Sequence, residues 1–168
     1  VDGRSLGDYL AAESPDIDRI IDLFVKLCRA VQSAHESAVI HRDIKPGNIL
    51  VDADGEPKLL DFGIAKVLTA GGRTADASQT ILGAMTPAYA SPEHIRGAAR
   101  TTASDVYSLG VVLYEALTGE RPFDTAGMSP AETERVLTTQ SATRPSDRTA
   151  EATWRQALRG DLDAIALR

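Results

Sequence analysis

Residues 103–119, ASDVYSLGVVLYEALTG, are the segment that most constrains the fold. Their apolar side chains cover nearly all sides of a helix, and Gly119 stands where a helix often ends in a left-handed residue. A helix that is apolar all round is stable only when neighbouring elements cover it. This segment therefore predicts a buried helix at the centre of the fold.

A second long helix is predicted directly after Ser14. Ser14 is a suitable N-cap, and Pro15 suits the first helical turn, where its missing N–H is no loss. Apolar residues then recur with the helical period as far as about His35. These residues are Ile17, Ile20, Ile21, Phe24, Leu27, Cys28 and Val31. The pattern predicts that the Cys28 thiol is packed in the core.

Shorter elements complete the predicted fold. Residues 6–14 and 129–139 have the patterns of helices, and the second begins with the capping residues Ser129, Pro130 and Glu132. Residues 49–60 predict a β-hairpin, because a two-residue turn signal separates two apolar runs. The predicted fold class is mainly α with a small β-hairpin.

Two polar segments predict loops instead. Residues 69–86 are rich in Thr, Ala, Gly and Ser and lack periodicity, which is typical of a long functional loop. Residues 140–153 are also polar and predict a loop. After them, residues 161–168 predict the beginning of a last helix.

Composition limits the classes of partner. The 168 residues carry a net charge of −6, so nucleic acid or an anionic membrane surface is not expected as a main partner. One cysteine allows no disulfide within the chain, and no apolar run reaches the roughly 18 residues of a membrane-spanning helix. We therefore expect a cytoplasmic segment that makes no membrane contact itself. The whole protein could still be anchored in a membrane.

The densest polar chemistry lies in VIHRDIKPGNIL, residues 39–50. Asp43, Lys45 and Asn48 lie there within six positions, and Asp61 follows 13 residues after Asn48. The predicted hairpin between them can fold Asp61 back over the first loop. Two carboxylates, an amide and a lysine would then converge. This set suits phosphoryl transfer, which needs aligned groups, neutralised charge and hard oxygen ligands for Mg²⁺.

Several motifs in one register resemble the protein-kinase family. They are His41-Arg42-Asp43 with Asn48, Asp61-Phe62-Gly63, Ser91-Pro92-Glu93 and the helix of residues 103–119. The chain is most similar to the large, C-terminal lobe of bacterial eukaryotic-like (Hanks-type) serine/threonine kinases. Lys45 within DIKPGN favours serine/threonine over tyrosine kinases.

The resemblance implies a role for each matched position. Asp43 matches the residue that orients and deprotonates the substrate hydroxyl, and Lys45 matches the lysine that faces the transferred phosphate. Asn48 and Asp61 match the ligands of Mg²⁺, or of Mn²⁺ in its place. Leu50 matches the apolar floor under the adenine of ATP.

Other matched positions imply structural roles. His41 and Phe62 resemble the apolar spine that joins the two kinase lobes, and Gly63 lets the chain turn sharply after the metal ligand. Thr86 resembles the threonine that braces the site near the substrate. Asp105 resembles the buried aspartate that accepts hydrogen bonds from the catalytic loop. It could also, or only, be the N-cap of its own helix.

The resemblance also implies that phosphorylation regulates the kinase, and that Glu93 pairs with an arginine elsewhere in the domain. Arg42 matches the arginine that meets a phosphorylated residue, for which Ser78 and Thr80 are the best-placed candidates. Glu93 matches the glutamate that pairs with an arginine from a late helix. Arg159 is a weak substitute for that arginine.

Parts of the family pattern do not occur in these 168 residues. The only glycine pair, Gly71-Gly72, does not follow a predicted strand, and no lysine strand precedes the polar loop. We expect residues 1–168 to form a partial kinase domain, from just after the hinge to the start of the late helices. The N-terminal lobe would complete an α+β domain. The fragment alone is then expected to be inactive.

Two alternatives remain open. The chain could belong to a pseudokinase or scaffold, although its intact catalytic residues disfavour this. It could also belong to a small-molecule phosphotransferase of related fold. The Ser91-Pro92-Glu93 element and the long loop before it favour a protein substrate.

Overall fold

The computed structural model describes residues 2–60 and 87–167, and the elements named below all lie in these ranges. The strands are β1 (Arg4–Ser5), β2 (Ile49–Val51) and β3 (Pro57–Leu59). The helices before the site are α1 (Leu6–Glu13) and α2 (Ile17–Glu36). Those after it are α3 (Pro92–Ile95), α4 (Thr102–Thr118), α5 (Pro130–Thr139), α6 (Pro145–Arg148), α7 (Ala152–Leu158) and α8 (Asp161–Ala166). Short 3₁₀ turns cover Pro46–Asn48 and Pro87–Tyr89. The fold is mainly helical with a small antiparallel sheet, as predicted.

The predicted central helix is confirmed as α4. Leu109, Val112, Leu113 and Leu117 of α4 join the core, and the helix packs against α2, α6 and α8. Gly119 ends the helix with a φ of 73° and donates its N–H to the Glu115 carbonyl oxygen. The sequence thus predicted both the burial and the end of this helix.

The second long helix is confirmed as α2, but its cap was predicted wrongly. Asp16 is the N-cap, and its Oδ1 accepts a hydrogen bond from the Arg19 N–H at 2.8 Å. Ser14 instead ends α1 in the left-handed region with a φ of 44°. Asp16 directly precedes the first helical residue, and its negative charge suits the positive end of the helix dipole.

The prediction for Cys28 was also wrong, because its side chain is exposed. The buried face of α2 is formed by Ile20, Leu23, Phe24, Leu27 and Val31. Cys28 follows Leu27 directly, so it lies about 100° further round the helix, beyond the edge of the buried face.

The predicted hairpin is the β2–β3 pair, with Ile49 opposite Leu59 and Val51 opposite Pro57. The sequence did not predict β1, which pairs with β2 to make a three-stranded antiparallel sheet. The turn contains Gly55, whose φ of 75° favours glycine. Arg19 of α2 donates to the Gly55 carbonyl oxygen at 3.3 Å and so ties the hairpin to α2.

The C-terminal part contains one confirmed helix and one correction. In α5, Ser129 and Glu132 form the predicted capping box. Residues 140–153, predicted as a loop, contain α6 and the start of α7. These elements are held by tertiary contacts. Asp163 accepts hydrogen bonds from the Ser146 N–H at 2.9 Å and hydroxyl at 2.7 Å, and Trp154 donates its indole N–H to Leu117.

No helix within residues 2–60 and 87–167 has the length and the apolar character needed to cross a membrane.

Candidate active site

The polar loop, defined here as residues 41–48, is anchored to α4 by Asp105. This carboxylate is almost fully buried, and it accepts the His41 N–H at Oδ2 and the Arg42 N–H at Oδ1, each at 2.8 Å. A buried carboxylate is costly without such donors. Asp105 is not the N-cap of α4, because Thr101 holds that position and donates its N–H to the Ser104 hydroxyl at 3.2 Å.

A third donor to Asp105 was not predicted. His35 of the last turn of α2 lies 2.8 Å from Oδ2 through its Nε2. Because a carboxylate oxygen only accepts, this nitrogen carries the proton. The three hydrogen bonds join α2, the polar loop and α4 at a single carboxylate.

The backbone of the polar loop is strained at Arg42. Its φ of 72° lies in the left-handed region, which non-glycine residues adopt at a cost of about 1–3 kcal/mol. Its N–H is held by Asp105, and its carbonyl oxygen accepts a hydrogen bond from Arg100 Nη1 at 3.3 Å. Surrounding side chains therefore fix the conformation that leads into Asp43.

His41 links the polar loop to the end of the hairpin. Its side chain is buried, and its Nε2 lies 2.9 Å from the Leu60 carbonyl oxygen. This nitrogen must carry a proton, since a carbonyl oxygen only accepts. Nδ1 faces the Asp43 N–H, from which it accepts a longer hydrogen bond of 3.4 Å.

Asp43, Lys45 and Asn48 come together as the sequence predicts. Lys45 Nζ and Asn48 Nδ2 each lie 3.1 Å from Asp43 Oδ2, and Asn48 Nδ2 also donates to the Asp43 carbonyl oxygen at 2.7 Å. All three side chains are half-buried, so they are positioned yet accessible. The 3₁₀ turn that ends at Asn48 returns the amide toward Asp43.

The orientation of Asn48 fits a role as a cation ligand. Both of its contacts on Asp43 are oxygens, which only accept, so the amide nitrogen must face Asp43. The amide oxygen consequently points away from Asp43, and amide oxygens are among the ligands that Mg²⁺ accepts. Over residues 2–60 and 87–167, no three His, Cys, Asp or Glu side chains cluster as a metal centre.

Several predicted site residues lie outside the described residues. They are Asp61, Phe62, Gly63, Ser78, Thr80 and Thr86. Leu50 is described and is half-buried in β2, while its neighbours Ile49 and Val51 are buried on the other face.

Glu93 lies at the start of α3 and contacts α4. Its carboxylate accepts a hydrogen bond from the Ser104 hydroxyl at 2.6 Å. Partial burial opposes ionisation, but hydrogen bonds, chiefly that from Ser104, hold the pKa of Glu93 below its usual value. The ion pairs within the described part of the chain do not join Glu93 to Arg159, which is exposed.

The family model for the protein kinase domain matches residues 1–159, and the chain belongs to this family. The chain is 38% identical over 169 residues to the serine/threonine-protein kinase PknB of Mycobacterium tuberculosis. That alignment covers 100% of this chain and 25% of the relative. The chain is also 41% identical over 125 residues to the probable serine/threonine-protein kinase PknB of Lactococcus lactis. This second alignment covers 74% of this chain and 19% of the relative. The similarity to bacterial Hanks-type kinases predicted from the motifs is therefore confirmed. The chain spans a quarter or less of the length of these relatives.

Proposed function

We propose that this chain is the catalytic-loop part of a serine/threonine protein kinase, which transfers the γ-phosphoryl group of ATP to a hydroxyl of a protein substrate. One observation carries the proposal: Asp43 Oδ2 lies 3.1 Å from both Lys45 Nζ and Asn48 Nδ2. A carboxylate, a cation and an amide at these distances suit a reaction that depends on alignment and charge neutralisation.

Asp43 would orient the substrate hydroxyl and accept its proton as the new bond to phosphorus forms. Its half-buried carboxylate has the access that a hydroxyl needs. The hydrogen bond from Asn48 holds the carboxylate in one orientation. A fixed acceptor is productive because the reacting hydroxyl must lie in line with the phosphorus.

Lys45 would offset negative charge on the moving phosphoryl group. Its ammonium group is next to Asp43 on the same loop, so one short segment supplies both the acceptor and the cation. Asn48 would ligate the metal through its amide oxygen, together with Asp61. Mg²⁺ or Mn²⁺, when bound, would supply positive charge that offsets the negative charge of the phosphates.

The rest of the proposal concerns the intact protein. Residues 1–168 would form part of a kinase domain, and a small lobe would cover ATP above Leu50. Without that lobe we expect negligible transfer, because the groups of the small lobe that hold the ATP phosphates would not be in place. Arg42 would meet a phosphate on Ser78 or Thr80 and so couple phosphorylation to activity.

The experiment uses the full-length protein and ATP labelled at the γ-phosphate. Wild type should label protein serine or threonine, whereas Asp43→Asn should lose almost all labelling. Asp54→Asn makes the same chemical change at an exposed turn residue and should behave as wild type. Wild-type labelling without protein phosphoserine or phosphothreonine would favour a small-molecule phosphotransferase. No labelling by any form would favour a scaffold. Equal labelling by wild type and Asp43→Asn would remove Asp43 from its assigned role.

A further inference from the structure

Arg100 is a half-buried cation beside the polar loop that no family motif in the sequence includes. It lies in the segment between α3 and α4, 58 residues from Arg42 along the chain. Its Nη1 donates a hydrogen bond of 3.3 Å to the Arg42 carbonyl oxygen. This contact places a guanidinium group directly against the backbone that precedes Asp43.

The accepting oxygen belongs to the peptide bond between Arg42 and Asp43. A peptide unit is planar, so a hydrogen bond that fixes this oxygen also fixes the direction of the Asp43 N–H. That N–H points to His41 Nδ1 at 3.4 Å, a long and weak hydrogen bond. Arg100 therefore supplies a further restraint on this peptide plane, through a charged donor, in addition to the hydrogen bond with His41.

Because Arg42 is strained, the hydrogen bond from Arg100 helps to keep Arg42 in its left-handed conformation. A left-handed non-glycine residue persists only where its surroundings hold it. Asp105 holds the N–H side of Arg42 at 2.8 Å, and Arg100 holds the carbonyl side. With only one side held, the residue could relax toward a more common conformation and carry Asp43 with it.

The charges around Arg100 agree with this placement. Partial burial lowers the pKa of Arg100, the nearby Asp43 carboxylate acts to raise it, and the positive charge of Arg42 acts to lower it. The guanidinium remains charged at neutral pH, because arginine titrates far above this range. A charged donor makes a stronger hydrogen bond to a carbonyl oxygen than a neutral donor does.

We propose that Arg100 is a positioning residue for phosphoryl transfer, which holds the Arg42–Asp43 peptide and thereby aims the Asp43 carboxylate. The proposal rests on the proposed function, because it assigns Asp43 the role of accepting the substrate proton. It does not place Arg100 in contact with substrate. Removal of Arg100 should therefore lower kcat and leave the KM values for ATP and for a peptide substrate nearly unchanged.

The test compares Arg100→Met, Arg100→Lys and Arg96→Met in the full-length kinase. Arg96 is an exposed arginine that pairs with Glu134 through a 2.7 Å contact, so its replacement controls for the loss of one positive charge. Arg100→Met should lower kcat about tenfold, the effect expected for one lost charged hydrogen bond. Arg100→Lys retains a charge and a donor without the planar fork, so it should give an intermediate kcat. Arg96→Met should match wild type.

Hydrogen–deuterium exchange of the backbone over residues 41–45 is a second readout, independent of activity. Exchange there should be faster in Arg100→Met than in wild type or Arg96→Met. If Arg100→Met does not fold, Arg100→Lys must still show faster exchange and reduced kcat. Wild-type kcat and wild-type exchange in a folded Arg100 variant overturn the proposal. Inclusion of Asp43→Asn separates the two proposals: if Asp43→Asn is fully active, the proposed function itself fails, whatever the Arg100 variants do.

Discussion

Asp105 Oδ1 accepts the backbone N–H of Arg42 at 2.8 Å, although the two residues are 63 positions apart. The same carboxylate accepts hydrogen bonds from the His41 N–H and from His35 Nε2. The central helix thus determines the conformation of the polar loop through one buried side chain. Because Arg42 is strained, loss of the hydrogen bonds to Asp105 should lower both the stability of the fold and the kinase activity.

Replacement of Asp105 by Asn should damage both properties. Asn keeps the shape but loses the charge, and its amide nitrogen would face at least one N–H that now points to an oxygen. Each hydrogen bond to a charged group contributes about 1.5–3 kcal/mol, so we expect a loss of about 3 kcal/mol in the free energy of unfolding. Denaturant unfolding of the intact kinase and its kcat measure the two effects.

The matched control is Asp147→Asn, which makes the same change at an exposed residue. It should alter neither quantity. An Asp105→Asn variant with wild-type stability and wild-type kcat would show that the anchor is dispensable.

Replacement of Gly55 and of Gly110 by alanine should change the stability of the fold in opposite directions. Gly55 has a φ of 75°, and a Cβ there would overlap the Arg19 guanidinium, so Gly55→Ala should lose about 1–2 kcal/mol of stability. Gly110 lies inside α4, and no atom of the described residues lies within 4 Å of its Cβ position, so Gly110→Ala should gain up to about 1 kcal/mol. Thermal unfolding measures both changes. If Gly55→Ala is as stable as wild type, Arg19 can leave the turn at little cost.

The depressed pKa of Glu93 predicts an acid dependence of stability. A group whose pKa is lower in the folded state than its ordinary value, here 4.5, stabilises the fold above that pH. This contribution is lost as the pH falls through the folded-state pKa. Glu93→Gln should therefore weaken the dependence of the unfolding free energy on pH below about 5. Ser104→Ala removes the main donor to Glu93, so it should also weaken the dependence of the unfolding free energy on pH. An unchanged acid profile in both variants would contradict the assignment.

The elements that the sequence predicts best are those with a local cause. The apolar surface of residues 103–119 and the capping box at Ser129 each depend on residues close in the chain, so α4 and α5 lie where expected. The start of α2 was misassigned because Ser14, Pro15 and Asp16 are all acceptable at a helix N-terminus. Nothing local distinguishes Asp16 as the residue whose side chain caps.

The elements that the sequence missed depend on distant contacts. The two residues of β1 are too few to show an alternating pattern. They form a strand because they pair with the edge of β2 that faces away from β3. The short helix α6 is held by Asp163 through Ser146, 17 residues earlier in the chain. Neither contact leaves a periodic signal.

The same division applies to the candidate site. Asp43, Lys45 and Asn48 were predicted because they share one short motif, and they do meet. His35 and Arg100 were not predicted, since their contacts span 70 and 58 residues and each looks like an ordinary surface residue in the sequence. A histidine in the last turn of α2 has a sufficient local explanation in the helix dipole, which conceals its contact with Asp105.

Asp43 is proposed to act in the phosphoryl-transfer step itself. The most direct measurement is the single-turnover rate of phosphoryl transfer from ATP to a peptide substrate, by rapid chemical quench, in the intact kinase and its Asp43→Asn variant. ATP affinity should be similar in both forms, while the transfer rate of Asp43→Asn falls by at least about a hundredfold, as expected for loss of a positioned general base. A transfer rate equal to that of wild type at saturating ATP and peptide would contradict this role of Asp43.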